Sequence, residues 1–598
     1  MLDSFRKFAD RGKLSSRRLG ASPPTLISFA VWCLVTVNWW NTSKHVLTQD
    51  TFDWAQIQSS ETLDWTPCNT DFECARLKTP LDYANPNASS TSIALVRLAA
   101  TVPRNSSDYR GPILFNPGGP GGSGVDTILE LGSLFRTILG PSFDLVGFDP
   151  RGIARSLPRA SFFTTQAERA QFPPQISLNA SQDAFGRTMA NSMLEATLAG
   201  ARDDHGSLRF INTEATARDM MKIVEAYGEE KLQYWGFSYG TVLGATFAAM
   251  FPDKIGRMAI DGVLDADDYY SAEYRTPFLD IDKTWKTFLD GCVAAGPDAC
   301  ALYEQNTTAI QAKILALERQ LLTRPVPAIV DVDASSPTPA YHAVDYSLLR
   351  LTMFDALYKP YKLFQPLASA LHDLISSGNA SALYEMSVGG SGSPPLYACP
   401  ANSSAEDRFA SVIDAGIAVI CNDGKSISAD YEDVKKNYEA LCATSSWCDV
   451  FSMRMPCLGW PEYLKNDFTI SFKTNTSFPL LVISNTADPV TPRPDGVKMS
   501  SGFAGSVLLT QDSPGHASLS APSSCTMSHV AAYFVNGTLP AKDTVCSVDA
   551  TAELFPSANS TESIAARGVR RSREEELSEA LRKLAQSGPK MFKGHGRF

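Results

Sequence analysis

LQYWGFSYGTVLGATFAAMF, residues 232–251, holds the pattern that decides the fold. Its opening residues, Leu232-Gln233-Tyr234-Trp235, read as a buried strand, and Val242 to Phe251 reads as a helix of small residues. Between them stands Gly236-Phe237-Ser238-Tyr239-Gly240, a G-x-S-x-G turn. A serine held on so sharp a strand-to-helix turn leaves no room for neighbouring side chains, hence the flanking glycines. The turn lifts the hydroxyl clear of a sheet and aims the following N–H groups at a developing oxyanion. Alone the pentapeptide says little, since about 0.2 copies arise by chance in a chain this long. The strand before it and the helix after it make it specific.

The same alternation runs through the flanking sequence. Ile113 to Asn116 is an apolar strand ending in PGGPGGSG (117–124), and Asp144 to Phe148 is another ending in DPRG (149–152). Arg257 to Val263 reads as a fourth strand. Residues 276–470 are mostly helical in pattern, with Pro/Ser/Gly-rich breaks near 333–340 and 388–401. Strand pattern then returns: Phe478 to Ser484 runs into NTADPVTP, and Ser506 to Thr510 into QDSPGHAS. Two halves of one mainly parallel sheet around a helical block predict the α/β-hydrolase fold with a large inserted helical cap.

A neutral serine needs a base, and an imidazole suits that task near neutral pH. Of seven histidines, His45 abuts an apolar N-terminal segment, His595 lies in the tail, and His205, His342 and His372 fall in presumed helical or cap regions. His529 sits in a predicted helix, which leaves His516, in the loop SPGHAS after a β-rich run. The imidazole needs a carboxylate to set its tautomer. Asp488 ends the preceding strand, with Asp495 and Asp512 as nearby rivals. The order Ser238, Asp488, His516 is that of α/β-hydrolases. Oxyanion donors are expected from the backbone N–H groups of Gly119, in the glycine-rich loop, and of Tyr239.

Composition bounds the rest. A formal net charge of −11 over 598 residues argues against a broad nucleic-acid surface. Neither C-x-x-C nor H-E-x-x-H occurs, so no metal and no cofactor is expected. Residues 1–24 carry Arg6, Lys7, Arg11, Lys13, Arg17 and Arg18 against Asp3 and Asp10, and an apolar run follows from Leu26 to Trp40. Basic residues ahead of an apolar run predict a cytoplasmic N-terminus and a signal anchor. The run is short for a span of roughly 17–25 residues, so a cleaved signal peptide is the alternative. Ten N-x-S/T sequons follow it, at Asn41, Asn87, Asn105, Asn179, Asn306, Asn379, Asn402, Asn475, Asn536 and Asn559. Eleven of the twelve cysteines also lie beyond it, and the close pairs Cys68/Cys74, Cys292/Cys300 and Cys442/Cys448 read as small disulfide loops. Eleven is odd, so at least one cysteine is expected to stay free or to pair between chains.

The expected layout is therefore a basic N-terminus (1–24), a transmembrane signal anchor (25–40), a lead-in (41–75), the first part of the core (76–275), the helical cap (276–470), the C-terminal part of the core (471–555) and a solvated charged tail (556–598). The expected location is a single-pass membrane protein with a lumenal or extracellular catalytic part, secreted if the segment is cleaved.

NPGGPGGSG, FDPRG, GFSYGT, DGVLD (261–265), AVICND (418–423), CLGWP (457–461), TADPVTP and PGHAS occur in that order. Together with ECARLKTPLDY near the start, the set resembles the tripeptidyl-aminopeptidase-like branch of the prolyl-aminopeptidase group, in a fungal-type membrane-anchored or secreted form. The resemblance covers about residues 65–550. It implies Ser238, Asp488 and His516 as triad, a helical cap over the site, pairing of Cys421 with Cys457, and removal of residues from free peptide N-termini. Such exopeptidases need acidic groups for the substrate ammonium, for which Glu462 and Asp423 are candidates. An esterase or amidase acting on a small acyl metabolite is the alternative, and a catalytically inert tethered binding protein is a third reading.

Overall fold

Strands buried on both faces are apolar over most of their length, and the central strands here are so apart from Asn116, Asp144 and Gln233. β4 (Pro112–Asn116) and β5 (Asp144–Phe148) are buried at every position, and β6 (Leu232–Phe237) at all but Gln233. The computed structural model describes residues 52–203, 205–330, 340–391, 412–450, 454–463, 470–557 and 572–587. Ten strands form one sheet in the order β1-β2-β3-β5-β4-β6-β7-β10-β11-β12, with β1 (Thr66–Asn69), β2 (Phe72–Pro80), β3 (Ser90–Leu98), β7 (Ile255–Asp261), β10 (Leu481–Ala487), β11 (Val507–Pro514) and β12 (Val545–Ser547). From β5 to β12 every neighbouring pair is parallel, while β1, β2 and β3 pair antiparallel and β3 joins β5 antiparallel. The sheet therefore starts at Thr66, ten residues before the expected boundary at 76.

Parallel strands share one C-terminal edge, and the loops leaving β4, β6, β10 and β11 carry the glycine-rich run, Ser238, Asp488 and His516. Ligands in open α/β sheets bind at that edge. Among the described residues between β7 and β10 the regular structure is helical except for an antiparallel hairpin, β8 (Val326–Val330) with β9 (Ala340–Val344), which the helical pattern did not announce. A second excursion, between β5 and β6, supplies Leu178, Phe185 and Met189. These pack on Val434, Met455 and Leu458. Residues assigned to the first part of the core thus build part of the helical layer. Buried Arg350 locks that layer, donating to Asp449 (2.8 Å), Glu318 (3.2 Å) and the Ser446 carbonyl (2.7 Å).

Among the described residues five disulfides are present: Cys68–Cys74, Cys292–Cys300, Cys421–Cys457, Cys442–Cys448 and Cys525–Cys546. The first four match the expected pairs, and the fifth, 21 residues apart, was not anticipated. Cys33 and Cys399 lie outside the described residues. So does the apolar segment 25–40, and no helix among the described residues is long and apolar enough to cross a membrane.

The expectation of a solvated tail is overturned for one stretch. Helix Arg573–Gln586, opened by a Ser572/Glu575 capping box, buries Ala580, Leu581, Leu584 and Ala585. It packs against helix Gly124–Leu139 and against Ser518–Ser520. Its charges crowd the first turn, and the apolar stripe at helical spacing in the later turns supplies the buried face.

Candidate active site

Ser238 sits between β6 and helix Tyr239–Met250 with φ 56° and ψ −126°, a region a non-glycine residue occupies only where its surroundings hold it. Close approach by the neighbouring loop does so. A Cβ on Gly118 (φ +94°) would stand 2.4 Å from the Phe237 carbonyl oxygen and 2.8 Å from Ser238 Cβ. A Cβ on Gly240 would stand 2.8 Å from the Asn116 carbonyl oxygen. Bare glycine lets the β4 loop lie directly on the serine turn.

That contact also decides which amides are available. Gly118 N–H donates to Asn116 Oδ1 (2.9 Å) and Gly122 N–H to the Gly118 carbonyl (3.0 Å). Tyr239 is the first residue of its helix, so its N–H has no acceptor within the helix. Of the two expected oxyanion donors, Tyr239 follows Ser238 directly, and Gly119 follows Gly118, the glycine that lies against the serine turn.

Asp488 and His516 meet at the same sheet edge. His516 Nδ1 lies 3.0 Å from Asp488 Oδ1 and 3.1 Å from Oδ2, and both side chains are fully buried. Asp488 Oδ1 also accepts from the Val490 N–H (3.0 Å) and the Thr491 N–H (2.9 Å), and Oδ2 from the Ala517 N–H (2.8 Å). Burial alone would raise this carboxyl, but His516 beside it and these hydrogen bonds outweigh it and hold the group below its usual range. With Nδ1–H turned to the carboxylate, Nε2 is the basic nitrogen. Of the rivals, Asp495 accepts from the Asp265 N–H and from Thr276 Oγ1, and burial pushes it up to about 8. Asp512 is exposed and accepts from Thr486. His205, His342 and His372 are exposed as well.

Three residues of the site escaped the reading of the sequence. Thr491 Oγ1 lies 3.1 Å from His516 Nδ1, brought there by the turn that Asp488 itself caps. Asn485 Nδ2 donates to the Gly515 and Ala517 carbonyls, each at 2.7 Å, and so clamps both sides of His516. Asp261 joins the two halves. Its carbonyl accepts the Ser238 N–H (3.0 Å), while its side chain accepts the Ser518 N–H (2.8 Å) and hydroxyl (2.5 Å). Burial pushes that carboxyl up to about 6. DPVT in the sequence was the one available signal, since an Asx turn three residues long returns its last side chain towards the aspartate. Thr491→Val, which keeps the volume and removes the hydroxyl, is expected to lower kcat about tenfold with KM unchanged, because a hydrogen bond to a charged group contributes about 1.5–3 kcal/mol. Steady-state kinetics on one substrate decides it.

The two acidic candidates for the substrate amine differ. Asp423 accepts from the Thr213 N–H (2.8 Å), from Thr213 Oγ1 (2.5 Å) and from the Tyr269 hydroxyl (2.8 Å). Thr213 spends its only proton on Asp423, so the Tyr239 hydroxyl donates to Thr213 and ties Asp423 to the residue after Ser238. Asp423 also lines a cavity of about 770 Å³ together with Asn212, Glu214, Asp267, Tyr270 and Tyr463. Glu462 is exposed, next to the Tyr463 of that wall. Among the described residues one cluster has metal-ligand chemistry, Cys525, His529 and Cys546, and its two sulfurs are joined in a disulfide.

Residues 111–299 match the family model described as alpha/beta hydrolase fold, and residues 447–546 the one described as TAP-like protein. The chain has the α/β-hydrolase fold. It is similar to a tripeptidyl aminopeptidase of Streptomyces lividans, 26% identical over 508 residues that cover 82% of this chain and 87% of that one. It is similar also to the serine protease Hip1 of Mycobacterium tuberculosis, 27% identical over 515 residues (82% and 92%). A carboxylesterase B of Mycobacterium tuberculosis matches at 26% over 489 residues (79% and 86%). The chain carries the serine, the carboxylate and the imidazole, Ser238, Asp488 and His516, in the chain order usual for that fold.

Proposed function

We propose that the protein is a serine peptidase that releases residues from free peptide N-termini through an acyl-enzyme. Ser238 attacks the scissile carbonyl while His516 Nε2 takes its proton, and the imidazolium formed is stabilised by Asp488. The N–H groups of Gly119 and Tyr239 stabilise the oxyanion. His516 then gives the proton to the leaving amine, and a water molecule repeats the sequence to release the acyl group. One observation carries the reading: a fully buried His516 fixed by Nδ1 on Asp488, at the same sheet edge as a strained, buried Ser238.

Peptide rather than ester substrates are supported by similarity to the two named peptidases and by the carboxylate of Asp423, which Thr213 links to the residue after Ser238. Similarity to the carboxylesterase favours the second reading, an esterase or amidase of small acyl substrates. Tripeptide arylamides with free N-termini, the same compounds with acetylated N-termini, and simple acyl esters separate the two. Turnover of the free-amine compounds with loss on acetylation is expected. Asp423→Asn is expected to raise KM for them about tenfold, a charge-assisted hydrogen bond being the stronger kind. Hydrolysis of esters alone overturns the peptidase reading.

We further propose an exported, N-glycosylated protein held by its N-terminal segment, with the catalytic part in the lumen or outside the cell. Five disulfides support an oxidising compartment. The sequons support it independently. Asn87, Asn105, Asn179, Asn306, Asn379, Asn475 and Asn536, the seven sequon asparagines among the described residues, are all exposed. Of the eight other described asparagines only Asn85 is exposed. Exposure thus follows the sequon rather than the residue type. Removal of N-glycans with a glycosidase is expected to lower the mass of the native protein in several steps. A native protein already at its bare polypeptide mass overturns this.

A further inference from the structure

Helices Tyr346–Tyr358 and Pro360–Ser377 of the insertion meet at a joint, Lys359, which is non-helical (φ −133°, ψ 65°) and 1% exposed. A lysine is almost never fully buried without a specific reason. Here the joint runs along the whole His516 loop. A Cβ on Gly515 would lie 2.6 Å from Pro360 Cδ, so the missing side chain lets the proline abut the loop. The Tyr358 carbonyl accepts the His516 N–H (3.1 Å), and the Tyr358 ring stands edge-on to the imidazole with centroids 5.2 Å apart. Lys359 Nζ donates to the Leu519 carbonyl (3.2 Å), just past Ser518, which Asp261 holds from the other side. Three consecutive residues of the insertion thus touch the loop before, at and after His516.

We propose that Lys359 is a positioning residue for His516, and that the Tyr358–Pro360 joint carries the position of the helical insertion to the base. The proposal rests on His516 acting as that base. Nothing in the sequence LYKPYK marks this lysine off from a surface one; the fold does. Burial lowers Lys359 to about 7, with Lys362 adding to the effect and Asp261 opposing it, so the side chain is held inside against its own solvation. Neutral or charged, it keeps a hydrogen for Leu519, and the contact survives either state. A base displaced by about 1 Å loses roughly 100-fold in rate, while substrate binding elsewhere is unaffected. The joint is therefore placed to act on kcat and not on KM.

Lys359→Met keeps the stem and removes the donor. Purified variant and wild type are compared for kcat, KM and the rate of labelling by a fluorophosphonate probe, which needs the activated serine but no peptide subsite. A fall of about 10- to 100-fold in kcat and in labelling rate, with KM within about twofold, is expected. Lys359→Arg, which retains a donor, is expected to recover most of the loss. Lys362→Met, on the same helix but outside the joint, is expected to match wild type. Wild-type kcat and labelling in Lys359→Met overturn the proposal, as does a change confined to KM. Should Lys359→Met fail to fold, Lys359→Gln, too short to reach Leu519, is read in the same way. Failure of wild type itself to label is a different result, and it sinks the nucleophile assignment rather than Lys359.

Discussion

Ser238→Ala is expected to lower kcat by about 10⁶-fold and to abolish fluorophosphonate labelling, while KM and the cooperative unfolding transition stay near wild type. The size follows from the way triad members act as a unit, so that removing the nucleophile forfeits nearly all that the three contribute. Residual turnover of about 10³- to 10⁴-fold over water is left to the Gly119 and Tyr239 amides and to substrate binding. The turn is expected to hold, because alanine carries the same Cβ as serine at φ 56° and the backbone N–H at this position still donates to the Asp261 carbonyl (3.0 Å). Labelling of the alanine variant at the wild-type rate would place the nucleophile elsewhere.

What the sequence shows and hides follows from how local each cause is. β4, β5 and β6 were legible because strands buried on both faces are apolar over most of their length, and the loops after them carry glycine where backbones approach. The approach of Asp488 to His516 was legible too, since both follow strands that pair in parallel with matched ends, Leu481 opposite Val507. The β8–β9 hairpin was not, because VPAIV contains a proline and lies among helical patterns. The tail helix was misread for a different reason. Nine of the fourteen residues of Arg573–Gln586 are charged or polar, and its stripe of Ala580, Leu581 and Leu584 is short enough to pass as chance until a partner surface is seen. Lys359, Asn485 and Asp261 are illegible in principle from one sequence. Their parts depend on partners such as Leu519, Gly515 and Ser518, which only the closed sheet brings within reach.

Asp488→Asn is expected to be the most informative single substitution, lowering kcat about 10⁴-fold with little change in shape. The carboxylate accepts on all sides: from the Val490 and Thr491 N–H groups on Oδ1, from the Ala517 N–H on Oδ2, and from His516 Nδ1. An amide has one accepting end. Wherever its NH₂ points, it meets a backbone donor or the imidazole, and if it faces Nδ1 the ring must carry its proton on Nε2, where it can no longer take one from Ser238. Stability changes with a definite sign. The Asp488 carboxyl is held below its unfolded value of about 3.9, so its contribution is fully present above that pH and is lost as pH falls through the lowered native value. Asparagine has no such term: the variant should be less stable than wild type at pH 7, and the gap should close on acidification below about pH 4. Urea unfolding at pH 7 and pH 3 measures both ends. Asp512→Asn, at an exposed carboxylate bound only to Thr486, provides the contrast, with kcat near wild type at every pH. If Asp488→Asn retained a tenth or more of wild-type kcat, the orienting role would have to pass to another acid, and the buried contact at 3.0 Å would be structural rather than catalytic.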